Sequence, residues 1–299
     1  FGPWRDVDED GKLTILLTPW LDKLQGGKTS LKGFVRGCDF FDVPPPFGNG
    51  GDILYLNSEL SPNEHLPTLL AHEFFHVLQF SIRGLNRDAE LPIEQDWLSE
   101  GQAHLAENLF GGNQSNLAHR IDAFLDSSAS SPLVVENYYE AGLWRDDGCR
   151  GATFLFLRWC LDQYGENLLT ELLHAPFSGL ANLELVTGEQ IARLRKQWIL
   201  AMLLQENAST PYRFEWQTSG FQSPDFSKLA RHRLDNTAPR ISLTLGPTTF
   251  GVIQIESFEQ KTVLVKSNQT AGLQLIWIPD PAEIVTTKKL SEIKISLSH

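Results

Sequence analysis

The segment LLAHEFFHVLQF, residues 69–80, sets two histidines four positions apart with a glutamate directly after the first. If the segment is helical, His72 and His76 lie one above the other on a single face, with Cβ atoms roughly 5–6 Å apart. Two imidazoles so placed can reach one cation at about 2.0–2.1 Å, the usual zinc–nitrogen distance. Glu73 projects beside the same face, where a carboxylate can take a proton from an attacking water. The bland alternative is a helix with two ordinary histidines, hydrogen-bonded in a core or exposed. Two histidines also leave a tetrahedral zinc short of a protein ligand, because catalytic sites usually supply three and leave the fourth position to water. One extended pattern would place a glycine and a further histidine after His76, but Gln79 and Ile82 stand there. The missing ligand is instead on offer in DWLSEGQAHLAE, residues 96–107, where Glu100 follows His76 by 24 positions. Trp97, Gly101 and Leu105 make an apolar stripe, and Glu100, His104 and Glu107 a polar stripe beside it. Polar groups that face inward need partners, and a metal ion is one.

These side chains need elements to hold them. From Asn63 the apolar positions Leu66, Leu69, Leu70, Val77 and Leu78 recur at helical intervals until Gly84. A second helix is expected from near Pro92 to the Gly111–Gly112 pair. The loop between them is long enough to turn the chain back, so the two helices can pack antiparallel, and Gly101 would permit close approach. GATFLFLRWCLDQYG predicts a third helix that continues through ENLLTELLH, and residues 188–206 a fourth. Before all of these, KLTILLT (12–18) and DILYLN (52–57) are short apolar runs bounded by turn residues, the pattern of strands. After residue 240 the period drops to two in RISLTL, TFGVIQIESF, TVLVKS and LQLIWI. The expectation is an α+β protein: N-terminal strands and a mainly helical lobe over 1–206, an irregular connection over 207–239, and a small all-β C-terminal module over 240–299.

Composition narrows the classes of partner. The 299 residues are 41% hydrophobic and 21% charged, enough for a sizeable core without disulfides. A net charge of −12 with no cluster of Lys or Arg argues against nucleic acid, whose phosphates need a basic face. No apolar run approaches the roughly 20 residues that cross a bilayer, so no membrane span is expected. Cys38, Cys149 and Cys160 have no C-x-x-C spacing and read as buried thiols. Asp6, Asp8 and Asp10 with Gly11 imitate the start of a calcium loop, but Leu17 stands where such a loop needs a bidentate glutamate. A polar turn is the better reading there, with a partial Ca2+ site as the alternative.

AHEFFHVLQF followed by DWLSEGQAHLAE resembles the gluzincin metallopeptidases, most of all the hyicolysin-like group, which combine an H-E-x-x-H helix with a later W-x-x-E-G glutamate. The likeness extends over about residues 6–206, through DVDEDGKLTILLTPW, GGDILYLNSE, RGATFLFLRWCLDQYG and RKQWILAMLL. It implies a zincin-type domain and a zinc peptidase, an endopeptidase before an aminopeptidase, acting on a peptide or protein substrate. His72, His76 and Glu100 would be the Zn2+ ligands and Glu73 the general base. In related chains an acidic residue four positions after the glutamate ligand often orients a zinc histidine; here that position is His104, which leaves His104 and Glu107 as candidates for the supporting role. The stretch ENYYEAGLWRDDGCRG makes Tyr139 the preferred oxyanion donor, ahead of Tyr138, Arg145, Arg150, His104 and His174. Zincin folds often offer a peptide the edge of a small sheet, and GGDILYLNSE is the candidate edge, with an ordinary buried strand as the favoured alternative. The resemblance also implies a secreted or periplasmic location. Two rival readings are a catalytically silent zincin-fold binding module and a zinc hydrolase of a non-peptide bond.

Overall fold

The computed structural model describes the chain except residues 25–27, 29, 42, 84–90, 206–210, 217–220, 239, 256–261, 267–274, 279–284, 288–291 and 297–299. Its contacts separate into two units: Phe1–Ala230 with Thr244–Phe250, and Arg231–Leu243 with Gly251–His299.

The first unit opens on strands β1 (Thr14–Thr18), β2 (Gly33–Val35) and β3 (Ile53–Asn57), with the one-turn helix α1 (Gly37–Phe40) after β2. They form a mixed sheet in the order β1-β3-β2, with β1 parallel and β2 antiparallel to β3. GGDILYLNSE is therefore the centre of the sheet and not its edge. Its burial explains why: Leu54, Tyr55, Leu56 and Asn57 are all buried, whereas Ile15, Leu16 and Leu17 of β1 are exposed. A run apolar on both faces belongs inside a sheet.

Helix α2 (Leu66–Ile82) carries both motif histidines and has Pro67 in its first turn, where proline's fixed φ suits a helix start. Its Val77 joins Phe40, Leu54 and Leu56 in a buried cluster, with Leu66, Leu69, Leu70, Phe74 and Phe80 packed around it. The turn expected between the two site helices falls in 84–90, outside the described residues. Helix α3 (Asp96–Ala106) starts four residues later than Pro92 because Glu94 is engaged elsewhere. Its carboxylate accepts from the Gly179 amide and from Asn182 and pairs with the buried Arg83. Residues Glu107–Gly111 extend α3 as a single π turn, a local rearrangement often found at functional sites.

Helices α4 (Ser115–Ser127) and α5 (Asp147–Tyr164) follow; the chain breaks at Gly165, so ENLLTELLH is a separate helix, α6 (Leu168–His174). Helices α7 (Gly179–Thr187) and α8 (Ile191–Leu203) complete the helical region. Helix α5 is the core element: Phe154, Leu155, Phe156, Leu157, Trp159 and Cys160 are fully buried. Gly101 lets α3 lie directly on it, since a Cβ there would stand 2.5 Å from Thr153 Cγ2 and 2.7 Å from Leu157 Cδ1.

In the second unit β4 (Arg231–Leu234) and β5 (Val252–Ile255) pair in parallel. Strands β6 (Thr262–Lys266) and β9 (Glu292–Ser296) pair antiparallel, as do β7 (Leu275–Trp277) and β8 (Val285–Thr287). RISLTL, expected to be a strand, is not one: the unit boundary falls within it, between Leu243 and Thr244, and it has no ladder partner among the described residues.

Candidate metal centre

His72 and His76 face the same way from consecutive turns of α2, and Glu100 of α3 meets them. Their ligand-type atoms all lie within 4.8 Å of one another. The two Nε2 atoms are 3.2 Å apart, with Glu100 Oε2 at 3.6 Å from His72 Nε2 and Oε1 at 3.9 Å from His76 Nε2.

Each of the three side chains is gripped from behind. His72 Nδ1 donates to Glu107 Oε1 at 2.8 Å. The same oxygen accepts from His104 Nδ1 at 2.8 Å, and Glu107 Oε2 accepts from Asn116 at 3.0 Å. His76 Nδ1 donates to Gln79 Oε1 at 2.9 Å. Glu100 Oε2 accepts from Arg150 Nη1 at 2.5 Å. Arg150 in turn is held by the Trp144 carbonyl at 3.1 Å and lies 5.4 Å from the Tyr138 ring centre.

This arrangement has an electrostatic consequence. With both Nδ1 protons committed to acceptors, the lone pairs on the two Nε2 atoms point at each other, and either a proton or a cation must lie between them. Burial pulls His72 down, yet the hydrogen bond and charge of Glu107 outweigh it and push the imidazole up to about 9. Burial and the charge on His72 take His76 down to about 4. In the metal-free chain the shared proton is therefore on His72. Burial alone would raise Glu100, but Arg150 and the imidazoles hold it well below the usual carboxylate range. Two imidazole nitrogens and a permanently ionised carboxylate suit zinc, a borderline-soft cation.

Glu73 is 5% exposed, and burial pushes its carboxyl up to about 7, against the charge of His72. It lies against β2: a Cβ on Gly33 would stand 3.2 Å from Glu73 Cγ.

His72, His104 and Glu107 form a second group that could hold a metal. His104 and Glu107 are buried. Burial drops His104 to about 4, so its ring is neutral, and its Nε2 has no hydrogen-bond partner among the described residues. Asp6 and Asp8 meet Asp52 in a third group, to which Asp10 does not belong. Its carboxylates already have donors: the Gly11 amide on Asp6, the Asp10 amide on Asp6 and Asp8, and Trp4 Nε1 and the Val7 amide on Asp52.

Tyr139 is 76% exposed while the neighbouring Tyr138 is buried. Arg145 stacks on Trp144, and His174 bonds to the Phe1 carbonyl. Gln79, Asn116 and the role of Arg150 toward Glu100 escaped the sequence reading. A glutamine three residues after His76 is on the right helical face to support it, which is the one signal the sequence held for Gln79.

No family model matches the chain. Over 190 residues, 59% of this chain, it is 25% identical to the neutral metalloprotease ShpI of Staphylococcus hyicus. The match covers 41% of that relative's length. The chain is thus a distant relative of a neutral metalloprotease, and it resembles the hyicolysin-like zinc metallopeptidases.

Proposed function

We propose that the protein is a zinc-dependent endopeptidase, with His72, His76 and Glu100 as the metal ligands and Glu73 as the general base. The observation that carries this reading is the pair of Nε2 atoms 3.2 Å apart with Glu100 closing the third side. The two histidine groups share His72, but only this one is partly exposed at all three members (side-chain exposures of 13%, 11% and 23%), as suits a site that admits substrate. Zinc held by these three residues would supply Lewis acidity at the site. Glu73 takes a proton from the attacking water and returns it to the leaving amine. Its raised affinity for a proton suits both steps near neutral pH. His104 and Glu107 support His72 from behind, and Tyr139 is the donor toward the oxyanion on the carbonyl under attack. The outer edge of β2, which passes Glu73 at Gly33, is where an extended peptide would pair with the sheet.

On this reading residues 1–206 are a zincin-type catalytic domain, 207–239 a connection and 240–299 a small all-β module. The substrate is a peptide or protein, which the metalloprotease relative supports, and the protein works outside the cytoplasm, which the family resemblance supports. Among the described residues no helix is long and apolar enough to cross a membrane.

The test is bound-metal analysis of the purified chain beside Glu100→Ala. One zinc per wild-type chain, largely lost from a folded mutant, is expected; equal zinc in both would remove Glu100 from the ligand set. A panel of peptide, ester and amide substrates then separates a peptidase from a hydrolase of another bond.

A further inference from the structure

We infer that Gln79 is the positioning residue for His76: its amide oxygen fixes which nitrogen of His76 faces the metal. The inference rests on the metal centre proposed above. Gln79 is 3% exposed and lies one turn beyond His76 on α2. Its Oε1 accepts from His76 Nδ1 at 2.9 Å and from the Ser99 hydroxyl at 2.8 Å. Its Nε2 faces the Ser99 carbonyl at 3.5 Å and Gln102 Oε1 at 3.2 Å. A backbone carbonyl can only accept, so the amide NH2 belongs on that side and the amide oxygen on the side of His76. His76 is thereby held with its proton on Nδ1 and its lone pair on Nε2, toward His72 and Glu100.

The two ligand histidines are supported unequally. His72 leans on the carboxylate of Glu107, whereas His76 leans on a neutral amide. The glutamine also reaches α3 through Ser99 and Gln102, next to Glu100 in the chain. One side chain therefore orients a ligand on α2 and ties it to the helix that supplies the third ligand.

Partners of this kind typically contribute 10–100-fold to metal affinity. Zinc affinity is measured by competition with a chromophoric chelator for the wild type, Gln79→Met and Gln79→Glu. Gln79→Met keeps the volume and removes the acceptor, and is expected to bind zinc about 10–100-fold more weakly. Gln79→Glu restores an acceptor and is expected to return affinity to within a few-fold of the wild type. Because Gln79→Met could lose its fold along with its acceptor, 15N-edited NMR on the wild-type zinc form supplies a second reading. It is expected to show a slowly exchanging His76 Nδ1 proton. Equal zinc affinity in folded Gln79→Met and wild type, or a His76 protonated on Nε2, would overturn the inference. A wild type that binds no zinc would instead remove the metal centre itself, and this inference with it.

Discussion

At the scale of single residues, His72 and His76 differ in the charge of what stands behind them, and this predicts how zinc and protons compete. The metal-free pair holds a proton on His72, whose ring is pushed up to about 9 by Glu107 once burial is overcome. A cation entering between the Nε2 atoms must displace that proton. Zinc affinity should therefore fall as pH drops below about 9, and binding near pH 7.5 should release close to one proton. Calorimetry in buffers of different ionisation enthalpy measures this directly; zinc uptake without proton release would mean that His72 is neutral beforehand. Glu73 makes a separate prediction, since it is proposed as the base and not as a ligand. Glu73→Gln should keep its zinc while hydrolysis falls by about 10²–10⁴-fold, the usual contribution of a general base. Loss of zinc from that variant would place Glu73 among the ligands.

At the scale of elements, the centre depends on how closely α3 lies against α5. Gly101→Ala would put a methyl group 2.5 Å from Thr153 Cγ2, an overpacking expected to cost about 1–3 kcal/mol. Urea unfolding should register that loss, with a larger one for Gly101→Val; unchanged midpoints would mean the two helices can separate freely. The pairing of H-E-x-x-H with W-x-x-E-G was legible in the sequence because both are helical motifs whose spacing fixes a face. Gly101 was legible for the same reason. Elements with tertiary causes were not. The sequence of DILYLN leaves an edge strand and a buried strand both open, and only the sheet order decides for the buried one. β2 is too short, at three residues, to show any periodicity. Helix α4, by contrast, presents Leu117, Ile121, Phe124 and Leu125 at helical intervals, a pattern the sequence itself carries. Glu107 as the partner of His72 was within reach, being on the polar stripe with Glu100. The grip of Arg150 on Glu100 was not, because it comes from a helix whose position no local pattern announces.

At the scale of the whole molecule, the proposed ligands sit entirely within the first unit, so a bound metal should stabilise that unit alone. At a free zinc concentration 100-fold above the dissociation constant the gain is about 2.7 kcal/mol. Hydrogen exchange should show added protection across α2 and α3 and none in β4 and β5; uniform protection would mean the two units unfold together. The same localisation bears on how the protein reaches its native state. His72 and Glu107, the most widely separated of the histidine–carboxylate pairs in the centre, are 35 residues apart in a chain of 299. Short loops close fast, and contacts near in sequence form early. The two helices can bring all three donors together while most of the chain is still unformed, and only the brace from Arg150 must wait for α5. A nascent chain emerging into a zinc-containing compartment would meet its metal as a folding partner before it could meet a substrate.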